Sequence, residues 1–399
     1  MLVYNKTYFD NFYLLRKAKE WIKSGYINDS EYETILKQHA SPYKSFNIFA
    51  RIALFIFTLF ILGSATGLIN IIFSVADFYR FVTFQCFFFG IGSYILAEIS
   101  IRKLSFFRSG IKEALLYTAI VSLSFGVVGL ITGGTFNFYG DPLIYFLIIL
   151  PIISFAAIRF SDRFLSLCVF IFLIIIDALL VLKMGTFGKL IVPFESMAFS
   201  FLLYYIAGQL KKKQELHYWK GCINLIQIAS LITLYLSGNY MVVRKLTEAL
   251  LDTEINPGED IRLAIFFYAY TIIVPLVYVW LGLKRKDYTF FRAGMLLEIT
   301  GILAIKYYHS IMPPETAMML GGIVVILIAY FSIKYLKTPK QGITFEIYKR
   351  SSREEALANI ASIVASKLVA DQHTAPQEDG GVGPGGGGQF GGGGAGADY

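Results

Sequence analysis

Long apolar runs, separated by short polar segments rich in Lys and Arg, dominate the chain from residue 52 to residue 335. A helix needs roughly 20 apolar residues to cross a hydrocarbon core about 30 Å thick. Ten runs are long enough by this measure, although two of them are short enough to leave nine or eleven spans as alternatives. The pattern therefore predicts an all-α polytopic transmembrane helical bundle, with spans near 52–74, 81–98, 114–133, 142–158, 164–182, 190–210, 221–238, 263–283, 290–305 and 317–333.

The loops between these spans alternate in charge. Four short loops (99–113, 159–163, 211–220 and 284–289) hold 13 Lys and Arg in 36 residues, whereas the five alternate loops hold 7 in 56. Because basic loops are retained in the cytoplasm, this alternation predicts that both termini are cytoplasmic. The net charge of +8 is thereby explained by topology. No nucleic-acid-binding motif accompanies the charge, so the expected partner is the lipid bilayer.

Composition agrees with this fold class. Hydrophobic residues make up 56% of the chain and charged residues 16%, and the mean hydropathy is +0.59. Soluble domains carry about 25% charged residues. The charge content thus argues against a soluble protein, and no cleavable signal peptide is predicted at the N-terminus.

Residues 1–48 precede the first span and predict a cytoplasmic helical hairpin. Its apolar residues recur at helical spacing, Gly25 is expected to end the first helix, and Asp29 or Ser30 is expected to cap the second. Two such short helices bury little surface by themselves. We therefore expect this hairpin to dock on the membrane domain, 52–335, or on a protein partner.

The hairpin also carries a family resemblance. Together with the many spans that follow, it resembles a bacterial family of predicted membrane proteins defined only by a domain of unknown function. The similar portion is roughly residues 10–75, and its motif comprises Trp21, Gly25, Ile27, Glu31 and Ile35. The resemblance implies a bacterial inner-membrane protein and brings no activity with it. A helix stop at Gly25 and a core contact at Ile27 explain two motif positions structurally.

Two segments follow the last span. Residues 343–372 predict a cytoplasmic amphipathic helix with one apolar stripe, suited to the membrane surface or to packing on the hairpin. Residues 373–399 form a Gly-rich tail, which is expected to be disordered because it buries too little surface to offset its chain entropy. The tail resembles the Gly-rich C-termini of bacterial membrane proteins of the TPM and related families. Phe390 and Tyr399 are its candidate partner-binding residues, and a passive tail is the alternative.

Three carboxylates stand out within the predicted spans: Asp177, Glu195 and Glu298. Asp177 and Glu195 are each nine residues from the middle of the predicted loop 183–189, which places them at one depth on adjacent helices. Such a pair can share a proton or bind a cation, so these three residues are candidates for an ion or proton path. The alternative is that they are hydrogen-bonded packing groups, with candidate partners Tyr204, Tyr205, Gln85 and Gln227.

Catalytic and metal-binding patterns are missing from the sequence. The four histidines are scattered, and Cys86, Cys168 and Cys222 fall inside apolar runs without paired spacing, so neither a metal nor another cofactor is expected. The first hypothesis is therefore a non-enzymatic membrane interaction or envelope component. A proton- or ion-coupled transporter is the second. The third is an intramembrane lipid-modifying enzyme, which would use the acidic loop 239–262.

Overall fold

The computed structural model describes residues 2–23, 25–73, 78–134, 140–253, 255–256, 259–285, 290 and 293–298, with isolated positions between 319 and 334. The described chain is almost entirely helical. Its helices are α1 Lys6–Lys23, α2 Asp29–Gln38, α3 Ile48–Ile72, α4 Phe78–Arg102, α5 Ile111–Ile131, α6 Pro142–Phe160, α7 Arg163–Leu182, α8 Thr186–Lys212, α9 Lys220–Gly238, α10 Tyr240–Leu251 and α11 Ala264–Arg285. Two short strands, β1 Lys44–Ser45 and β2 Phe106–Arg108, and a 3-10 helix, Gln214–Trp219, complete it.

Within the described residues, eight helices are long and apolar enough to cross a membrane. They are α3 to α9 and α11, and they coincide with the first eight predicted spans. This confirms the predicted fold class, an α-helical transmembrane bundle. The ninth and tenth predicted spans, the amphipathic helix 343–372 and the tail fall wholly or largely outside the described residues, so the count of ten stays a prediction.

Helix α3 shows most directly that the surface is suited to lipid. No side chain in its apolar window is buried within the protein, and Ile56, Phe57, Phe60 and Ile71 are between 60% and 76% exposed. Leaving one such side chain in water rather than burying it costs about 1.5–3 kcal/mol. A whole helix of this kind is stable only where hydrocarbon replaces water, so the protein is an integral membrane protein in a bilayer.

The N-terminal segment is built into one end of the bundle. The side chains of Val3, Tyr4 and Phe9 are buried in a core cluster with Phe107 and Phe160. The Val3 N–H donates to the Arg159 carbonyl over 3.0 Å. We call this end, where α3, α5, α7 and α9 begin, the N-terminal face.

A short parallel strand pair ties the start of α3 to the start of α5, a feature that the all-helical prediction missed. β1 pairs with β2 beside Lys44 and Phe106, and the Phe46 N–H donates to the Arg108 carbonyl over 3.1 Å. Gly110 follows β2 with a φ of +86° and begins the turn into α5. The pair is too short for a periodicity of two to be visible in the sequence.

The chain divides into two compact units, the larger holding residues 1–16 and 35–346 and the smaller containing 17–34. Within 17–34, Gly25 ends α1 in a Schellman motif: its N–H donates to Ile22, and the Tyr26 N–H donates to Trp21. The predicted helix stop at Gly25 is therefore confirmed. The predicted caps were wrong, because the residue that caps α2 is Asn28, which accepts from the Glu31 N–H while Glu31 accepts from the Asn28 N–H.

The predicted loop 239–262 contains helix α10 and is organised around a buried arginine. The guanidinium of Arg244 donates to the carbonyls of Ile255, Asn256 and Glu259 over 2.9 to 3.2 Å. The hydroxyl groups of two stacked tyrosines, Tyr240 and Tyr268, donate to one carboxylate oxygen of Asp260. These contacts join α10 to the described residues that follow it and satisfy polar groups that would otherwise be buried unpaired.

Candidate functional site

Asp177 on α7 and Glu195 on α8 meet between their two helices. Their carboxyl groups are close enough to share a hydrogen bond. Oδ2 of Asp177 and Oε2 of Glu195 are both buried, and neither has a hydrogen-bond partner among the other described residues. The structure therefore brings this predicted pair together.

The pair meets although the loop is shorter than predicted. α7 ends at Leu182 and α8 begins at Thr186, so the turn is 183–185 rather than 183–189. Asp177 is then five residues from the turn (182 − 177) and Glu195 nine (195 − 186), or about 7.5 and 13.5 Å along the helix axes. Side chains tilt toward the N-terminus of their own helix. Asp177 therefore leans away from the turn and Glu195 leans toward it, which closes the gap.

Two features give the Asp177–Glu195 pair its chemistry. A hydrogen bond between two carboxyl groups requires that one of them carries a proton. Two ionised carboxylates at this distance in apolar surroundings repel each other strongly, so loss of that proton favours either its return or capture of a cation. Pro193, inside α8, also removes the N–H that would have paired with the Lys189 carbonyl. The pair thus has the chemistry that reversible binding of a proton requires.

Glu298, the third predicted residue, lies elsewhere. It is within electrostatic range of the buried Tyr235, and its Oε2 is buried without a hydrogen-bond partner in the described part of the chain. Among the described residues no contact joins Glu298 to Asp177 or Glu195. Gln85, considered as a partner for the carboxylates, donates instead to the Thr66 carbonyl over 3.1 Å.

A second site, which the sequence analysis did not predict, opens at the N-terminal face. It is a cavity of about 600 Å³ between the N-terminal segment and the first turns of α3, α5, α7 and α9. Five cationic side chains and three carboxylates line it, together with several aromatic rings. This concentration of charge distinguishes it from the apolar remainder of the bundle.

Lys112 forms the floor of this cavity and is only 4% exposed. Its Nζ donates to the Tyr4 hydroxyl over 3.3 Å and lies 3.5 Å from Glu113 and 4.0 Å from Asp162. The Tyr4 hydroxyl is the hydrogen-bond partner of the ammonium group, and the two nearby carboxylates compensate its charge, as a buried cation requires. Burial raises the pKa of the Tyr4 hydroxyl, so Tyr4 stays neutral. The N-terminal segment thereby closes the floor of the cavity.

The two floor carboxylates are held in place by the backbone. Asp162 caps α7, its Oδ1 accepting from the N–H groups of Phe164 and Leu165 over 3.0 and 3.1 Å, and it also accepts from the Tyr117 hydroxyl. Glu113 accepts from the Gly110 N–H over 2.8 Å. Both acceptors are therefore committed to the fold before any ligand arrives.

Four further cations stand between the floor and the mouth. Arg51 and Arg108 are half-buried, whereas Arg163 and Lys220 are exposed at the opening. Burial is the main cause that lowers the pKa of Arg108, and the nearby Arg163 and Arg51 lower it further. At the side of the mouth, Asp10 pairs with His217 over 3.2 Å and accepts from the Tyr218 hydroxyl over 2.9 Å.

The cavity was missed because its charges were assigned to loops. The third span was predicted to start at residue 114, which left Lys112 and Glu113 outside it, and Asp162 and Arg163 were counted only as part of the short loop 159–163. A useful signal was that acidic residues accompany the basic ones where α5 and α7 begin, since topology alone requires only Lys and Arg. Phe390 and Tyr399, the predicted partner-binding residues, lie outside the described residues.

No family model, no curated protein and no solved structure matches the chain.

Proposed function

We propose that this integral membrane protein is a transporter coupled to a proton or small cation, with the Asp177–Glu195 pair as its coupling site. The observation that supports the proposal is the approach of two carboxyl groups within the bundle to hydrogen-bonding range of each other, each with one buried oxygen. A pair of apolar side chains would fill the same space at lower electrostatic cost. Ionisable groups kept within the membrane are characteristic of ion and proton pathways.

The proposal includes an orientation, with both termini in the cytoplasm of a bacterium and the N-terminal face inward. The clustering of basic residues at that face supports it. A cysteine-free variant that carries either Lys213→Cys or Lys245→Cys tests it on intact cells with a membrane-impermeant maleimide. We expect labelling at 245 and protection at 213, and the reverse pattern would contradict the orientation.

The proposed role of the pair is to alternate between two states. With one proton bound, a carboxyl group of Asp177 or Glu195 donates to the other and the pair carries a single negative charge. Release of that proton leaves two adjacent carboxylates, which favour separation of α7 from α8 or binding of a cation. Proton binding thus changes the helix contact at this position, which is the coupling that such a transporter needs.

Neutral, near-isosteric variants test this role. Asp177→Asn and Glu195→Gln keep a hydrogen bond, because an amide N–H₂ donates to the remaining carboxylate, so folding should be preserved. In liposomes that contain a trapped pH-sensitive dye, wild-type protein should admit protons under an applied potential, and both variants should not. Infrared difference spectra should lose the carbonyl band of the protonated carboxyl group in the same two variants.

The matched control is Glu215→Gln, which removes a carboxylate exposed at the N-terminal face, away from the pair. It should retain proton uptake and the infrared band. Wild-type proton uptake in both Asp177→Asn and Glu195→Gln would refute the proposal. Failure of both variants to accumulate would also count against it, because it would give the pair a structural role.

A membrane interaction or envelope component is the second candidate function. The observation that favours it is the packing of the N-terminal segment, whose Val3, Tyr4 and Phe9 are buried at the N-terminal face. Residues of this segment and of the helix ends together form the surface that a partner would meet there. The tail and the bacterial family resemblance belong to the same proposal. Affinity capture with the full chain and with a chain lacking residues 374–399 tests the tail. An unchanged set of captured proteins would remove the tail from the argument.

A further inference from the structure

The cavity at the N-terminal face carries more positive charge than its own carboxylates neutralise. Five cations line it against three carboxylates, and two of those carboxylates are engaged by Lys112, backbone N–H groups and a tyrosine. Among the described residues, no carboxylate lies within ion-pairing distance of Arg108, Arg163 or Lys220. The unneutralised charge is therefore concentrated at the middle and mouth of the cavity.

We propose that this cavity binds a phosphate-bearing anion, held by Arg108, Arg163 and Lys220 above the Lys112 floor. The inference is independent of proton coupling at the carboxyl pair. The anion is a phosphorylated solute or the phosphate of a lipid headgroup. These two sources present the same group to the cavity.

The position of Arg163 supports this assignment. Its guanidinium lies against the main chain of Gly221, where a Cβ atom would come within 2.7 Å of Nε. Glycine at 221 thus leaves room for the guanidinium to lie against α9. The planar guanidinium fork matches phosphate oxygens bidentately.

The start of α9 contributes a cation and part of the wall to the cavity. Lys220, Gly221 and Cys222 form its first turn and line the cavity. The 3-10 helix Gln214–Trp219 leads directly into α9, and the Lys220 N–H donates to the His217 carbonyl. The attraction for an anion at this position therefore comes from the Lys220 side chain.

The size and walls of the cavity suit an organic phosphate. A volume of about 600 Å³ lies within the range of roughly 300–1,000 Å³ that small-molecule sites occupy. The rings of Phe107 and Tyr218 form part of the wall beside the cations, and Arg108 lies over Phe107 at 5.5 Å. The phosphate is thus placed among the cations, and the rest of the molecule meets aromatic surface.

Titration of the full-length protein in nanodiscs of neutral phosphatidylcholine tests the proposal. Trp219 adjoins the cavity and serves as the fluorescent reporter in a Trp21→Phe, Trp280→Phe background. The probes are inorganic phosphate and glycerol 3-phosphate. Nanodiscs containing phosphatidylglycerol form the second arm. We expect a saturable fluorescence change in at least one arm.

Arg108→Gln and Arg163→Gln should each weaken binding about tenfold or more, because each removes charge-assisted hydrogen bonds. Arg163→Lys, which keeps the charge and loses the fork, should weaken it less. The control is Lys213→Gln, which removes a charge exposed at the same face but outside the cavity. It should bind like the wild type.

Saturation by soluble phosphate in neutral nanodiscs identifies a free phosphorylated solute as the source. A response only with phosphatidylglycerol identifies a lipid headgroup. The proposal is overturned if no probe in either arm gives a saturable change. It is also overturned if the Arg108 and Arg163 variants, with unfolding temperatures equal to the control's, bind as tightly as Lys213→Gln.

Discussion

Gly110 is the residue at which a single methyl group should disturb the N-terminal face most. It joins β2 to α5 with a φ of +86°, and a Cβ atom built on it would lie 2.1 Å from the carbonyl oxygen of Arg51 and 3.0 Å from the Phe55 nitrogen. The three nearest atoms that it would meet belong to the backbone of α3. The obstruction cannot be relieved by a change of rotamer, so Gly110→Ala should push α3 away from α5.

The cost can be estimated in two parts. A non-glycine residue at positive φ costs roughly 1–2 kcal/mol. Forcing an extra methyl group into a close-packed contact costs about 1–3 kcal/mol more. The sum, about 2–5 kcal/mol, is a large share of the stability of an ordinary domain. Because the Gly110 N–H also positions Glu113 beneath the cavity, the loss should extend to the cavity floor.

The unfolding temperature of the purified protein measures this effect, with the loss of the folded peak in size-exclusion chromatography after heating as the readout. Alanine variants of two other glycines serve as matched controls. Gly133→Ala has a φ of +63° with nothing within 4 Å of the added carbon, so it isolates the backbone term. Gly67→Ala, in open space on α3, should be neutral or slightly stabilising. We expect the unfolding temperature to be highest for Gly67→Ala, lower for Gly133→Ala and lowest for Gly110→Ala. Equal temperatures for Gly110→Ala and Gly133→Ala would refute the steric argument.

Three further predictions concern charged groups. Asp162→Ala should destabilise the protein by about 3 kcal/mol or more, since it removes a helix cap and a partner of a buried lysine. Asp162→Asn keeps the capping oxygen and should destabilise the protein less in the same unfolding assay. Equal losses of stability would exclude a contribution from the cap. Arg244→Met should accelerate limited proteolysis between residues 252 and 262, because it removes the donor of three loop carbonyls. Lys245→Met, which removes an exposed ion pair, should leave the rate of proteolysis unchanged. Equal resistance of both variants to proteolysis would contradict the role of Arg244. The hydrogen bond that Lys183 donates to Asp141 is the main reason why the pKa of Asp141 lies below its usual range. The stability that this interaction gives the fold is therefore present above the unfolded pKa of about 3.9 and is lost as pH falls through the lower folded value. Asp141→Asn should accordingly reduce the acid sensitivity of unfolding, and unchanged sensitivity would assign that sensitivity to other groups.

The fold class follows from the sequence because a bilayer imposes a length on each element. Runs of roughly 20 apolar residues have one stable outcome, and the eight that the structure describes are helices at the predicted places. The β1–β2 pair and helix α10 were missed for the opposite reason. Both elements are too short to span a bilayer, so no length constraint applies to them, and contacts such as those of Arg244 select their conformation.

The motif that carries the family resemblance has a local explanation in the structure. The spacing of Trp21 and Gly25 is that of a Schellman motif, and Glu31 completes a capping box with Asn28. These residues form the turn of a helical hairpin, so the motif indicates a local structure and no catalytic or binding chemistry. The family assignment itself stays a prediction.

The intramembrane pair could be anticipated and the cavity could not, for a physical reason. Counting residues from a turn places Asp177 and Glu195 near one depth, because helical rise is regular and the helices are neighbours. The shorter turn offsets them by about 6 Å, and the tilt of their side chains closes that gap. Their role in a proton or ion path stays a prediction. The cavity joins residues as distant in sequence as Tyr4 and Lys112, and no periodicity connects them. Only the packing of the N-terminal segment against α5 makes that contact visible.

The basic residues of the N-terminal face belong to two physical classes that the sequence does not separate. Lys211, Lys212 and Lys213 are exposed, so water and lipid headgroups can satisfy them, and their contribution is to topology. Lys112 is 4% exposed, and a charge so buried is stable only with partners arranged around it. Neutralising the exposed lysines should therefore alter the orientation of the protein in the membrane and leave its unfolding temperature unchanged. Neutralising Lys112 should lower the unfolding temperature and leave the orientation unchanged, because Glu113 and Asp162 would then be left buried with part of their negative charge unpaired.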